Sequence, residues 1–478
     1  MSLSSRYETP LSTRYASQEM SYLFSPVFKY TTWRSLWIAL AKGEKRLGLP
    51  ITEAQIKELE AQKKTLNLKQ CLRYEKQFRH DVMAHIHAYG KLCPKARAII
   101  HLGATSSFVT DNTDLIQMQQ GLKLLLQKFP ALLRALFIFA KKHASLPCLS
   151  FTHLQPAQPT TVGKRASLWL QDFLLDFQEL QRRCDELPFL GVKGATGSQA
   201  SFLTLFQGDE KRVEALDRYV TKAMGFAKSV PLSSQTYSRK WDQLLVSSLA
   251  SFATSAHKMA SDIRLLAHLK EVEEPFLKSQ VGSSAMPYKQ NPHRSERICS
   301  LARYLISLSE NPAYTAAAQW LERSLDDSAN RRCSLPESFL CADALCNELI
   351  HLTRGLTVSE RFIKKHLEEE IPFLALENIL MESVKRGKER QTIHECLRSH
   401  ALKAKEQLKK TGILPDLLGA LAQDPQIALS DEEIKRAASE SSLVGLAPSQ
   451  VMRFLNEEIA PLLASLPPLK VKIPDPQV

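Results

Sequence analysis

Between positions 245 and 266 the apolar residues fall at Leu245, Leu249, Phe252, Ala256, Met259, Ile263 and Leu266. The steps alternate four and three, a heptad seam held over about three heptads. A strand repeats every two residues, so this segment is expected to be a long helix with one face buried against another helix. A second seam runs through Val162, Ala166, Trp169, Phe173, Phe177, Leu180, Cys184 and Leu187, with one repeated step of four that reads as a stutter. A third helical run is expected from after DNTD (111–114) to about 143, kinked at Pro130. Two more are expected over about 293–309 and 336–357. Long helices with facing seams bury them by packing as a bundle.

The expected fold is therefore all-α. A long-helix bundle domain spans 106–358, between an N-terminal helical domain (1–105) and a C-terminal helical domain (359–478). The last contains APSQVMRFLNEEIAPLL, where Pro448 suits a first helical turn. The tail LPPLKVKIPDPQV (466–478) is expected to be extended. A length of 478 residues supports two or three domains, and only 17 glycines suit a helical chain.

Several function classes are disfavoured. The opening MSLSSRYETPLSTRYAS lacks the apolar stretch of a signal peptide, and no uninterrupted apolar run is long enough to span a membrane. The nine cysteines are scattered and form no CxxC, which suits reduced thiols in a cytoplasmic protein rather than disulfides or zinc. The net charge is +13, but the basic residues are spread and no basic run exceeds three. A nucleic-acid surface concentrates them with aromatics on one face. A few arginines facing a small polyanion, or a solvated surface, fit better.

Polar, turn-forming stretches collect between the expected helices. HLGATSSFVTDNTD (101–114) sets Thr105 and Ser106 ahead of a helix start, where exposed N–H groups and hydroxyls can hold an anion; N-capping by Asp111 or Asn112 is the plainer alternative. FTHLQPAQPTTVGKR (151–165) puts His153 in a Pro-bracketed loop, as a general acid or base or as a half-buried structural histidine. WLERSLDDSANRR (320–332) gathers Arg323, Arg331 and Arg332, whose planar forks suit phosphate or carboxylate, or which form surface ion pairs. RHDVMAHIH (79–87) has three histidines without HExxH spacing or a cysteine partner, so no metal site is expected. GVKGATGSQ (191–199) lacks the ending of a P-loop and reads as a flexible loop touching a ligand. GSSAMPYKQNP (282–292) packs two hydroxyls, a lysine and an asparagine into one turn-rich loop.

That last segment resembles the GSSxMPxKxNP signature of the fumarase/aspartase superfamily, whose members release fumarate or a related product by β-elimination. STRYAS (12–17), RHDVMAH (79–85), HLGATS (101–106), FTHLQPAQ (151–158), QTYSRK (235–240), SERICSLAR (295–303) and LDDSANRR (325–332) are similar to the adenylosuccinate lyase family, in its animal-type branch, and follow its order along nearly the whole chain. The resemblance implies cleavage of adenylosuccinate to AMP and fumarate, and of SAICAR to AICAR and fumarate, without a cofactor. It implies that Ser283 takes the proton from the succinyl Cβ, that His153 protonates the departing nitrogen and that Glu296 orients this histidine. Lys289 and Asn291 match residues that hold the succinyl carboxylate on which charge builds. Arg14, Tyr15, Arg79, His80, Asp81, Thr105, Ser106, Gln235, Arg297, Arg323, Ser328 and Arg332 match positions that bind the nucleotide, its phosphate or the succinyl group. A serine hydroxyl is a poor base, so its surroundings must stabilise the alkoxide; Lys289, backbone N–H groups and a closed, dry loop are expected to do so.

An expected helix over 113–143 is about 45 Å long at 1.5 Å per residue. It separates Thr105 and Ser106 from His153, which can share a pocket only if another copy of the chain brings the far end across. A homotetramer with shared sites, the arrangement the superfamily implies, is expected. Two departures stand out: Gln290 replaces the arginine of MPYKRNP, and Leu446 replaces that of GRAPQQV. Rival readings are a lyase acting on argininosuccinate, aspartate or malate, a non-catalytic relative, and a basic nucleic-acid-binding protein. The nucleotide-site matches, the pair His153 and Ser283, and the signature loop argue against each in turn.

Overall fold

The computed structural model describes residues 7–276, 279–467 and 473. Five long helices form the centre: α1 (Ser106–Lys142), α2 (Val162–Glu186), α3 (Lys240–His268), α4 (His293–Leu308) and α5 (Asp327–Gly355). The α1–α2, α3–α4, α1–α5, α4–α5, α2–α3 and α3–α5 pairs pack together. Both heptad seams face inward, and every one of their residues is buried. Phe129 of α1 meets Phe252 of α3 at 5.1 Å and Phe177 of α2 at 5.9 Å between ring centroids, so the two seams close on α1. Two antiparallel pairs, β1 (Pro147–Thr152) with β2 (Gln155–Thr161) and β3 (Val272–Glu273) with β4 (Thr357–Val358), are the named strands. The all-α class holds.

Three boundaries differ from expectation. Helix α1 starts at Ser106 with Thr105 at its N-cap, so the DNTD stretch lies inside it. Asp111 and Asn112 cap nothing. Both are buried, Asp111 against Arg239, and Asn112 with its amide exchanging hydrogen bonds with Gly191 (3.0 and 3.1 Å). The helix continues through Pro130 to Lys142. Helix α5 begins at Asp327 rather than 336 and holds Pro336 inside it. The expected loop at 151–165 is a β-hairpin running directly into α2. Pro448 does sit in the first turn of Ala447–Phe454. Most of the tail expected to be extended lies outside the described residues.

Buried apolar residues form one large cluster through the bundle and the N-terminal helices, and a smaller one between Ala375 and Ala438. Helix Ala447–Phe454 returns from the latter to pack on α2 and α1. Inside the bundle, Lys128 of α1 pairs with Asp343 of α5, both side chains fully buried, while Asn347 accepts from the ammonium (2.9 Å) and the Ser17 N–H donates to Asp343 (2.7 Å). Such a pair is kept in a dry interior only with its remaining hydrogen-bonding positions filled. No described helix is long and apolar enough to cross a membrane.

Candidate active site

One cavity of about 800 Å³ opens at the N-terminal end of α1. Nine of the expected residues line it: Arg79, His80, Asp81, Thr105, Ser106, Gln235, Arg323, Ser328 and Arg332. Local folding explains how they converge. Arg79 ends helix Leu68–Phe78 in the left-handed conformation (φ 56°), and His80 caps the next helix, Asp81–Leu92, by accepting the Met83 N–H at its Nδ1 (3.4 Å). An accepting Nδ1 leaves the proton on Nε2, which faces Ser106 Oγ at 3.2 Å. The Thr105 side chain caps nothing, so its hydroxyl stays available at the positive end of a 37-residue helix. Gln235 donates to the Ala195 carbonyl (3.0 Å). The 191–199 loop, expected to be flexible and to touch a ligand, meets this cavity through Gln235 and does not line it. It is fixed by close backbone packing: Gly197 has φ 82°, and a Cβ there would lie 1.9 Å from the Ser233 carbonyl oxygen.

Part of the cavity wall belongs to a buried ion network. Arg239 contacts Asp111 (2.9 Å) and Asp327 (2.7 Å), and Arg331 contacts Asp114 (2.9 Å) and Asp242 (2.7 Å). Tyr237 donates to Asp242 (2.6 Å) and accepts from Arg331. Burial opposes ionisation of Asp327, but Arg239 and Arg323 outweigh it and hold the carboxyl below its usual range. Burial likewise opposes the charge on Arg331, and its anionic neighbours more than offset it. The arginines of WLERSLDDSANRR all line the cavity but differ in their setting: Arg331 is buried and held by two aspartates, while Arg323 and Arg332 are more open, held by Asp327 (2.8 Å) and Asp81 (3.5 Å). Lys29, which carried no sequence signal, also lines the cavity. Its ammonium sits 5.4 Å from the Trp33 ring centroid and 5.7 Å from that of Tyr30, with no carboxylate among the described residues in ion-pair reach.

The remaining residues lie elsewhere. In the signature loop Ser283 Oγ accepts the N–H groups of Met286 (3.1 Å) and Ala285 (3.3 Å). The Asn291 amide donates to the Gly282 carbonyl (2.9 Å), closing the loop. A Cβ on Gly282 would lie 2.0 Å from the Lys289 carbonyl oxygen, so only glycine fits there. The Glu274 carboxylate accepts the N–H groups of Arg294 (2.9 Å) and Ser295 (3.0 Å) at the start of α4. Arg297 pairs with Glu348 (2.7 Å) and lies over the Tyr15 ring (5.7 Å), which brings Arg14 and Tyr15, in the turn Leu11–Tyr15, to this second group. Lys289 and Glu296 are exposed.

His153 belongs to neither group. With Leu154 it forms the two-residue tip of the β1–β2 hairpin, both at positive φ (55° and 56°), which is a type I′ turn made without glycine. Each such residue costs about 1–2 kcal/mol. His153 is exposed, so it is not the half-buried structural histidine of the alternative reading, and Leu154 is 72% exposed beside it. The tip lies past the C-terminus of α1, about 55 Å of helix from Thr105.

The three histidines of RHDVMAHIH go to three environments. His80 faces the cavity, His85 stacks on Tyr30 at 3.8 Å, and His87 stacks on Phe78 at 4.4 Å. Elsewhere Cys396, His400 and Asp424 bring possible metal-ligand atoms together, but Asp424 already accepts from both others (3.3 and 2.9 Å).

Residues 55–306 match the family described as Lyase, and residues 372–454 match Adenylosuccinate lyase C-terminus. The chain is 47% identical over 475 residues to adenylosuccinate lyase of Schizosaccharomyces pombe, covering 99% of this chain and 98% of that one. It belongs to the adenylosuccinate lyase family. The same enzyme of Saccharomyces cerevisiae is 47% identical over 456 residues, 95% of each chain. A fumarate lyase from Mesorhizobium sp. BNC1 superposes with a TM-score of 0.82 at 22% identity, covering 95% of this chain and 100% of that one, which fixes the fold as that of the superfamily. This family chain is a lyase.

Proposed function

We propose that the protein eliminates fumarate from adenylosuccinate, leaving AMP, and from SAICAR, leaving AICAR. The observation that carries this reading is the single cavity in which nine motif residues meet in a chain of this family. In the proposed reaction Ser283 Oγ, as alkoxide, removes a proton from the succinyl Cβ. The electron pair builds an aci-carboxylate dianion on the adjacent carboxylate, which Lys289 and Asn291 hold. The C–N bond then breaks, fumarate leaves, and His153, oriented by Glu296, protonates the nitrogen. Preorganised donors facing that charge supply several kcal/mol. The two N–H groups on Ser283 Oγ support this assignment, because donors to the charged form lower a pKa. The cavity residues, with Arg14, Tyr15 and Arg297, bind the nucleotide, its phosphate and the succinyl group.

Acid, base and nucleotide cavity sit apart within one chain. We infer that a homotetramer joins them, with several copies contributing to each site. The three parts 1–105, 106–358 and 359–478 would then supply nucleotide contacts, the shared bundle and a brace for the hairpin. A cytoplasmic setting suits the nine unpaired cysteines.

The test is fumarate release from purified protein given adenylosuccinate, with argininosuccinate in parallel. Release from adenylosuccinate alone, lost in Ser283→Ala, is expected. No release from either substrate by folded protein rejects the reaction. Mixing Ser283→Ala and His153→Ala chains should restore part of the activity, and failure to do so rejects sharing of those two groups between copies.

A further inference from the structure

The hairpin that carries His153 is poorly equipped to hold its own direction. A two-stranded hairpin is marginally stable in isolation. Here β2 reads QPAQPTT, and Pro156 and Pro159 have no N–H to give the ladder. The register slips as well. Ser150 pairs with Ala157 and Cys148 with Thr160, so Gln158 and Pro159 together oppose Leu149. That is a bulge, a device that re-aims a side chain. The side chain it turns outward is Gln158, whose Nε2 donates to Glu377 Oε2 at 2.5 Å.

Glu377 stands on helix Leu376–Lys385, which is itself anchored. The next residue, Asn378, donates to the Ala437 carbonyl (3.1 Å) and to Ser442 Oγ (3.4 Å). Helix Glu440–Leu443, next to that anchor, packs on β2, and helix Glu360–Leu374 packs on both strands. His366 of the latter faces Glu271 at the end of α3 (3.0 Å). A rigid frame thus runs from the bundle, through the C-terminal helices, to the middle of the hairpin.

We propose that Glu377 is a positioning residue for His153, acting through Gln158 at the bulge. This rests on the reading of His153 as the acid. Both ends of the hydrogen bond are exposed in the single chain, and an exposed contact contributes about 1 kcal/mol or less to stability. Its loss therefore leaves the fold intact and acts on the direction of the tip. A misplacement of about 1 Å at a reacting group can cost up to about a hundredfold in rate.

The experiment compares Glu377→Ala, Glu377→Gln and the exchanged pair Gln158→Glu with Glu377→Gln in the full-length protein. Glu377→Ala should lower kcat by roughly ten- to a hundredfold with KM nearly unchanged. The exchanged pair, which rebuilds the bond with donor and acceptor reversed, should recover most of that loss. Backbone hydrogen exchange should quicken across 147–161 in Glu377→Ala and return in the exchanged pair. Unchanged exchange and kcat in Glu377→Ala, or loss that the exchanged pair does not recover, overturns the proposal. Faster exchange at the hairpin in a protein whose wild type releases no fumarate would count against the assigned reaction while leaving the brace itself in place.

Discussion

The cavity at the N-terminal end of α1 and the proposed reacting groups are built on opposite plans. Nine expected residues meet in the cavity within one chain, and its walls rest on buried charges: Arg239 and Arg331 each bridge two aspartates from different helices. The proposed acid and base sit on exposed projections, one on a loop closed by Gly282 and Asn291, the other on a bulged hairpin with two prolines. A rigid wall suits a ligand whose charge stays fixed during binding. Projecting groups can enter a site from another copy and close over it, which suits chemistry that must exclude water.

The sharpest way to break this contrast is to remove each reacting group alone. His153→Ala and Ser283→Ala should each lower kcat by about 10²–10⁴-fold, the range for a positioned acid or base, with no loss of thermal stability. A fall in melting temperature to match would mean that these projections also hold the fold. The wall should behave in the opposite way. Arg239→Met leaves Asp111 and Asp327 buried with one cation fewer and should cost roughly 3–5 kcal/mol in urea unfolding. A mild cost there would move the cavity into the same class as the loops.

Protons offer a third measure. Burial pushes His85 and His101 down to about 4. Above pH 6.5 each is neutral whether folded or unfolded, and neither contributes. Between 6.5 and 4 the unfolded chain binds the proton first, so stability should fall as pH falls, by about 1.4 kcal/mol per pH unit for each histidine. Unfolding free energies at pH 7 and pH 5 test this, with His85→Gln expected to flatten the slope. The smallest effect should come from Lys29→Met. Losing a partly exposed cation of about 1 kcal/mol should raise KM for adenylosuccinate roughly fivefold and leave kcat alone.

The seams were legible because a buried stripe repeats at the helical period whatever it packs against. Residues 111–114 were misleading for the converse reason. Asp, Asn and Thr at a helix edge read as caps, and only Arg239 and the Gly191 backbone, far along the chain, make them interior. The hairpin escaped notice because a strand with two prolines lacks alternation. The cavity residues were legible through their motifs, whereas Lys29 lies in an ordinary helix, Pro26–Arg46, and reaches the cavity only through folding.

The Lys128–Asp343 pair has a consequence for editing the protein. Segments near a terminus are ordinarily where shortening is tolerated. Here the Ser17 N–H fills one position of a carboxylate sealed inside the bundle, two residues beyond Tyr15. Deleting the residues through Ser17 would therefore leave a buried carboxylate short of a donor rather than merely trim an arm, and a reporter fused in their place would inherit a weakened scaffold.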